Sequence, residues 1–332
     1  MKKAKVFPVI LACILLSCAN KGVGDPPAGT NNQSGTAPGF NADSAYAYVE
    51  KQLAFGPRVP NTTAHQRCGD YLIGELKRFA AEVYVQEVTL TAYNGAKLAC
   101  RNIIGSYNPD AKKRILLFAH WDTRPYADQE TDPAKHHIPI DGADDGASGV
   151  GALLEIARQL GRQAPAAGVD IIFFDAEDYG VPEFEKATAY TPGSWCLGSQ
   201  FWAKNPHTPG YRAEYGILLD MVGARHATFY KEQTSMRYAP RIVEKVWSTA
   251  RDLGYGKFFI NAGGGSILDD HQSVIEGRGI PSIDIINYDP ENAHGFAGYW
   301  HTHKDTIDNI DKETLKGVGQ TVLEVIYKEQ AL

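Results

Sequence analysis

Residues 141–160, DGADDGASGVGALLEIARQL, decide the fold class because they join an acid-rich loop to an apolar helical pattern. On either side are two short apolar runs, residues 115–120 (ILLFAH) and 169–175 (VDIIFFD), of the kind that forms buried strands. Residues 215–220 and 280–287 have the same character. Strand and helix alternate, so the sequence predicts an α/β fold with a mostly parallel central sheet flanked by helices on both faces.

The remaining elements follow from the same patterns. Two antiparallel edge strands are predicted at residues 83–90 and 103–107, and helices at residues 41–55, 67–81, 149–160, 239–253 and 311–327. No internal repeat or second linker interrupts this pattern. We therefore expect residues 41–332 to form a single catalytic α/β domain.

The first 40 residues differ in composition from the rest of the chain. Residues 1–18 have a lysine-rich start and a short apolar run, which is typical of a secretory signal peptide. They end in LLSC, which resembles a bacterial lipoprotein processing box, so we expect Cys18 to be lipidated; an ordinary signal with a chance cysteine is the alternative. Residues 19–40 predict a flexible linker. We expect a lipoprotein of the bacterial cell envelope, anchored to a membrane and facing the periplasm or the outer surface.

Charge and cysteine content limit the partners and the covalent links. The formal net charge is −6 and there is no basic patch, which argues against nucleic acid as a partner. After removal of a signal peptide and lipidation, three cysteines would remain, Cys68, Cys100 and Cys196. These allow at most one disulfide, which we predict to join Cys68 and Cys100.

Acidic and histidine side chains follow the predicted strands at one edge of the sheet, where ligands of open parallel sheets bind. Asp145, Asp178 and His301 supply two carboxylates and an imidazole from distant parts of the sequence. Such dispersed ligands are typical of a catalytic zinc site, whereas structural zinc sites use closely spaced Cys and His pairs. Glu177, next to Asp178, is the candidate general base and acid.

Other interpretations of these residues remain open at this stage. The Glu177–Asp178 pair is also compatible with capping a helix that begins near Tyr179, and Asp145 with the N-cap of the following helix. We expect Thr302, Asp305 and Thr306, close behind His301 in sequence, to help orient the His301 ring.

Six motifs, taken together and in this order, resemble the glutaminyl cyclase family: AHWD (119–122), GADDGASG (142–149), FFDAED (173–178), LLDMVGA (218–224), LDDH (268–271) and YWHTHKDTIDNID (299–311). Members convert N-terminal glutamine to pyroglutamate and are relatives of the co-catalytic zinc aminopeptidases. The resemblance implies a zinc aminopeptidase-like fold (phosphorylase/hydrolase-like). It also implies one zinc ion per chain and, as substrates, peptides or proteins with N-terminal glutamine.

The resemblance also implies roles for residues outside the zinc trio. Asp220 and Asp269 would share a proton. The glutamine side chain would lie in a small pocket formed by Phe296 and Trp300 with the Ile267–Leu268 backbone. Because residues 181–192 look like an insertion, Trp195 is expected to replace part of the pocket wall.

Two other functions compete with this interpretation. A di-zinc aminopeptidase would hold a second zinc on His120, Asp145 and Asp220, and Glu177 would activate a water molecule. A non-catalytic lipoprotein that binds peptides or metal is the other alternative. It is disfavoured because the base and every ligand position are filled in this sequence.

Overall fold

The computed structural model describes residues 36–188 and 193–330, together with Met1. The predicted signal segment, Cys18 and most of the predicted linker lie outside these residues. The unit Ser34–Leu332 is compact. Within the described part of the chain, no helix is both long enough and apolar enough to cross a membrane.

In the described part of the chain, eight strands form a large sheet and a small one. In chain order they are β1 (Glu82–Thr91), β2 (Lys97–Tyr107), β3 (Arg114–His120), β4 (Gly168–Phe174), β5 (Tyr215–Asp220), β6 (Phe229–Lys231), β7 (Phe259–Gly263) and β8 (Ser282–Ile286). The large sheet has the order β1-β2-β4-β3-β5-β8, and β6 pairs with β7. Strands β4, β3, β5 and β8 are parallel, as predicted, while β1 and β2 are antiparallel to their neighbours.

Eight α-helices, all within residues 36–188 and 193–330, surround the large sheet. They are α1 (Ala42–Leu53), α2 (Thr63–Phe79), α3 (Ala147–Arg162), α4 (Leu197–Lys204), α5 (Gln233–Tyr238), α6 (Pro240–Asp252), α7 (Asp270–Arg278) and α8 (Lys312–Lys328). The five predicted helices are present with shifted ends, and α4, α5 and α7 were not predicted.

Helices cover both faces of the sheet because successive strand residues point to opposite sides. Leu117 of β3 packs in one core cluster with Leu153 of α3 and other helical residues. Its neighbour Phe118 packs in a second cluster with Trp202 of α4 and Val274 of α7. The predicted α/β class, with helices on both faces, is confirmed.

Two expectations about the periphery are wrong. Strand β2 is not an edge strand, because β1 lies on one side of it and β4 on the other. Cys68 and Cys100 are free thiols, as is Cys196. Cys68 packs in the main core, whereas Cys100 packs in a separate small cluster with Ala92 and Leu98, so their side chains belong to different parts of the interior.

Helix α3 lies unusually close to strand β5, and this contact fixes the loop that precedes the helix. A Cβ atom on Gly149 would lie only 2.0 Å from the carbonyl oxygen of Leu219. Only glycine permits this approach without movement of the main chain. Asp145 and Asp220, which flank the contact in sequence, are thereby held at the same end of the sheet.

Candidate active site

The predicted site residues converge at the carboxyl ends of the parallel strands. His120 ends β3, Asp220 ends β5, and Glu177 and Asp178 follow β4, while Asp145 lies just before α3 and His301 lies in the segment between β8 and α8. All are buried or nearly so. This is the edge at which open parallel sheets bind their ligands.

The three predicted zinc ligands lie together. Nε2 of His301 is 3.6 Å from Oδ2 of Asp145 and 3.4 Å from Oδ1 of Asp178. One ligand atom from each residue lies within 4.8 Å of the other two. Oδ2 of Asp178 is buried and has no hydrogen-bond partner among the described residues. Two buried carboxylates and an imidazole nitrogen fit a divalent cation such as zinc.

A second group shares Asp145 with the first. Nε2 of His120 lies 3.0 Å from Oδ1 of Asp145 and 3.2 Å from Oδ1 of Asp220. One ligand atom from each of these three residues lies within 4.8 Å of the other two, as in the first group. These separations suit a hydrogen-bonded imidazole as well as a cation held by all three. The geometry is thus compatible with one metal or with two bridged by Asp145.

Neither capping interpretation is correct. Gly146, not Asp145, is the N-cap of α3, and no side chain caps that helix. Asp145 points instead toward His120 and His301. The segment after β4 bends, and the next helical turn in the described chain is the 3₁₀ turn Glu183–Thr188. The acid pair therefore faces the site rather than a helix end.

The His301 ring is oriented by a residue that sequence reasoning missed. Its Nδ1 lies 3.1 Å from Oδ1 of Asp128, which leaves Nε2 directed at the two carboxylates. Arg124 pairs with Asp128 and donates to the backbone carbonyl of Asp178. Asp305 does not contact the ring as expected: it accepts from the backbone N–H groups of Asp144 and Asp145. No sequence pattern pointed to Asp128, because residues 121–130 form neither helix nor strand.

The backbone is strained at several points around the site. Ala176, Met221 and His301 have φ angles of 54°, 47° and 52°, in the left-handed region that residues with a Cβ rarely adopt. Met221 directly follows the last residue of β5, and Ala176 lies two residues after the end of β4. Such strain persists where the surrounding structure holds it, and it clusters at functional sites.

Burial and mutual repulsion shift the pKa values of the acids. Burial, with the charge of Asp145, raises the pKa of Asp178 to about 6. Burial raises the pKa of Glu177 well above its usual value, and the charges of Asp178 and Asp269 add to this. Burial and then the charge of Asp220 raise the pKa of Asp269 well above its usual value. So much buried negative charge favours binding of a cation.

A cavity of about 870 Å³ opens onto these residues. The five predicted pocket residues, Trp195, Ile267, Leu268, Phe296 and Trp300, all line it. The Phe296 and Trp300 rings are 4.6 Å apart, and Trp300 stacks on His301 at 3.7 Å. The Trp195 ring also lies nearly parallel to the His301 ring, with the two ring centroids 6.2 Å apart. The ligand pocket thus has aromatic walls next to the candidate metal group.

The family assignment follows from the sequence match to this whole region. The model of peptidase family M28 matches residues 102–326, from β2 into α8, which include every residue of the site. The chain belongs to peptidase family M28.

Several proteins, among them two with solved structures, are similar to the chain. It is 72% identical to a zinc-dependent exopeptidase from Parabacteroides distasonis, with a TM-score of 0.87 over 89% of this chain and 100% of that one. It is 68% identical to Tannerella forsythia glutaminyl cyclase, with a TM-score of 0.86 over 88% and 100% of the two chains. It is 30% identical to bovine glutaminyl-peptide cyclotransferase over 303 residues, 82% of this chain and 78% of the bovine protein.

Proposed function

We propose that this protein is a zinc-dependent glutaminyl-peptide cyclotransferase, which converts the N-terminal glutamine of peptides or proteins to pyroglutamate and releases ammonia. The observation that carries the proposal is the small aromatic pocket of Phe296 and Trp300, which opens beside Asp178 and His301 with Glu177 in the same cavity wall. Similarity to the Tannerella and bovine cyclases supports the same activity.

A glutamine side chain suits this pocket in size and chemistry. Its two methylene groups would pack against the aromatic wall that Phe296 and Trp300 form together, with the Ile267 region closing the cavity. The terminal amide would then face Asp178 and His301. The half-exposed Leu268 side chain lies toward solvent, where the rest of the peptide would leave the pocket.

The reaction closes a five-membered ring within one residue. The α-amine nitrogen bonds to the side-chain amide carbon, and the bond from that carbon to the amide nitrogen breaks. Because both groups belong to the same residue, holding them in the right orientation supplies much of the acceleration. Zinc, when bound, would polarise the side-chain carbonyl as a Lewis acid. Glu177 would take a proton from the α-amine and deliver one to the departing ammonia.

We assign the zinc ion to Asp145, Asp178 and His301, and we propose one ion per chain. In this account His120 remains hydrogen-bonded to Asp145 and Asp220 instead of binding a second metal. Asp220 and Asp269 would share a proton. Repulsion between the two carboxylates favours this, because the charge of Asp220 raises the pKa of Asp269. A shared proton would keep Asp220 from serving as a metal ligand.

Product analysis tests the proposed reaction. A peptide that begins with glutamine should lose one ammonia and keep its peptide bonds, as measured by mass spectrometry with an ammonia assay. The same peptide with an acetylated N-terminus is the matched control, and it should not react because its nitrogen is no longer a nucleophile. Cleavage after the first residue, without release of ammonia, would contradict the proposal.

A di-zinc aminopeptidase is the second candidate. The observation that favours it is the group formed by His120, Asp145 and Asp220, which shares Asp145 with the first group as a bridging ligand would. Similarity to the Parabacteroides exopeptidase points the same way. This candidate requires release of free amino acids from peptides that begin with leucine or alanine, and two zinc ions per active chain.

We further propose that the protein is a lipoprotein of the bacterial cell envelope. The proposal is supported by the composition of residues 1–18 and by the position of Cys18 at the end of their apolar run. Metabolic labelling with a fatty acid should mark the wild-type protein, and Cys18→Ser should lose the label and become soluble after cell fractionation. Labelling of the Cys18→Ser variant would contradict this assignment.

A further inference from the structure

A third group of metal-binding atoms lies in the wall of the same cavity. Ligand atoms of Glu177, Cys196 and Asp269, here called the thiol cluster, lie within 4.8 Å of one another. All three residues line the cavity, so it gives a cation a path to them. Cys196 takes part in no step of the proposed reaction.

The thiol is fixed against the base by main-chain contacts. Sγ of Cys196 lies 3.2 Å from Oε1 of Glu177. The N–H of Cys196 donates to the carbonyl of Glu177 at 2.9 Å, and the N–H of Leu197 donates to the carbonyl of Ala176 at 3.0 Å. These two bonds tie the start of α4 to the segment after β4. The short distance between thiol and carboxylate is therefore built into the backbone.

The groups that face the thiol cluster are acidic, and a bound cation would relieve their mutual repulsion. Burial raises the pKa of the Cys196 thiol well above its usual value, and Glu177, Asp270 and Asp269 raise it further. Burial also raises the pKa of Asp269 well above its usual value, and Asp220 and Asp270 add to this. A thiolate is a soft ligand that prefers zinc-like and heavier ions to magnesium or calcium, and carboxylates complete such sites.

We propose that Glu177, Cys196 and Asp269 form an inhibitory site for a soft divalent cation, separate from the catalytic zinc. On binding, the S–H bond of Cys196 breaks, its proton passes to solvent, and a sulfur–metal bond forms. The proton shared by Asp220 and Asp269 stays on Asp220, so that the Asp269 carboxylate can bind the cation. A Glu177 oxygen bound to the cation is not available to accept a proton from the substrate amine, so turnover stops. Binding at the cluster stands on geometry alone, whereas inhibition rests on the function proposed for Glu177.

Cadmium is a suitable probe because a cadmium–thiolate bond has an ultraviolet charge-transfer band. The zinc-loaded protein is titrated with cadmium chloride, and the band, bound cadmium, bound zinc and ammonia release are measured on the same samples. We expect one equivalent of cadmium to bind with growth of the band and parallel loss of activity, while zinc is retained. Absence of the band, or displacement of zinc by an equal amount of cadmium, would overturn the proposal.

Variants identify the ligands. Cys196→Ser should abolish the band and weaken cadmium binding by at least about 10-fold. Loss of a residue that only hydrogen-bonds to a metal ligand already weakens metal binding by about this factor, and Cys196 would be a ligand itself. Asp269→Asn should keep the band but weaken binding. Cys100→Ala, which removes a buried thiol outside the cavity, is the control and should behave as wild type. A band that survives in Cys196→Ser refutes the site; a normal band with unchanged ammonia release refutes inhibition through Glu177 and leaves binding intact.

Discussion

Glu177 is positioned through its main chain, and its carboxylate lines the cavity with the Cys196 thiol in contact with one oxygen. Its N–H donates to Oδ1 of Asp122 at 3.0 Å, and its carbonyl accepts from the N–H of Cys196. The N–H of Asp178 donates to the other oxygen of Asp122 at 3.2 Å. One buried carboxylate therefore orients both members of the acid pair, so that one can face the metal group and the other the substrate.

Replacing Glu177 by Gln tests its role as the base. The amide keeps the size of the side chain but cannot accept the proton, so kcat should fall by about two to four orders of magnitude. Zinc content, measured by elemental analysis, should not change. Glu324→Gln on the surface of α8, which breaks only an ion pair with Lys328, is the control. Loss of zinc together with activity would mean that Glu177 is a ligand.

The sequence predicted the residues that converge at the site better than the residues that orient them. Asp145 was found at the start of a predicted helix, Asp178 after a predicted strand and His301 in a Trp-His segment, so each lies in a distinctive motif. Asp128 was missed since it lies in an irregular loop, where no periodicity indicates which way a side chain points. Its role depends on the tertiary approach of that loop to His301.

At the scale of elements, the contact between α3 and β5 sets the position of the acid loop. Gly149→Ala would place a methyl group against the Leu219 carbonyl and force the helix away from the strand. We expect a loss of at least about 1–3 kcal/mol in the free energy of unfolding, as for other overpacked sites, and weaker zinc binding. Thermal and denaturant unfolding with zinc titration measure both.

A glycine of α2 provides the matched control for this substitution. Gly74 also lies inside a helix, but nothing lies within 4 Å of an added Cβ. Gly74→Ala should therefore stabilise the protein by about 0.5–1 kcal/mol through helix propensity. Equal effects of the two substitutions would show that close packing of α3 on β5 does not determine the outcome.

The four parallel strands were predicted accurately because buried parallel strands are continuous apolar runs, whereas several helices had no comparable signal. Residues 215–220 were predicted with the bounds that β5 has. Helices α4 and α7 were missed because they are short, and α7 begins with the acidic residues of the LDDH motif. Helix α2 begins earlier than predicted, since Thr62 caps it by accepting from the N–H of His65.

For the whole molecule, the buried acids make the stability of the metal-free protein depend on pH. Burial is the leading cause that raises the pKa of Asp144 and Asp178 from 3.8 to about 6 and of Asp270 to about 7. The folded state keeps protons that the unfolded state releases, so the contribution of these groups is present below about pH 4. It is lost as the pH rises from about 4 to about 7.

We therefore predict that the melting temperature of the zinc-free protein falls between about pH 4 and pH 7. Glu232, whose pKa is lowered to about 2, changes charge below this range and does not offset the trend. Asp270→Asn should reduce the slope, because the amide does not ionise. Calorimetry after dialysis against a chelator measures the melting temperature at each pH. A melting temperature that rises from about pH 4 to about pH 7 would contradict the prediction.

The fold class and the family could be predicted from the sequence because strand patterns and the order of motifs are visible in a single sequence. The number of metal ions could not be predicted from the sequence. His120, Asp145 and Asp220 are equally suited to form a hydrogen-bonded group and to be a second set of ligands. That choice depends on the protonation of Asp220 and Asp269, which arises only when folding brings the carboxyl groups together.

Zinc titration of the metal-free protein tests the central claim of a single-metal glutaminyl cyclase most directly. Ammonia release from a glutamine-initiated peptide and amino-acid release from a leucine-initiated peptide are measured at each zinc ratio. We predict that ammonia release reaches its maximum at one zinc per chain, that the leucine peptide stays intact, and that His120→Ala still binds one zinc. A maximum at two zinc ions per chain, with cleavage of the leucine peptide and loss of one zinc in His120→Ala, would contradict it.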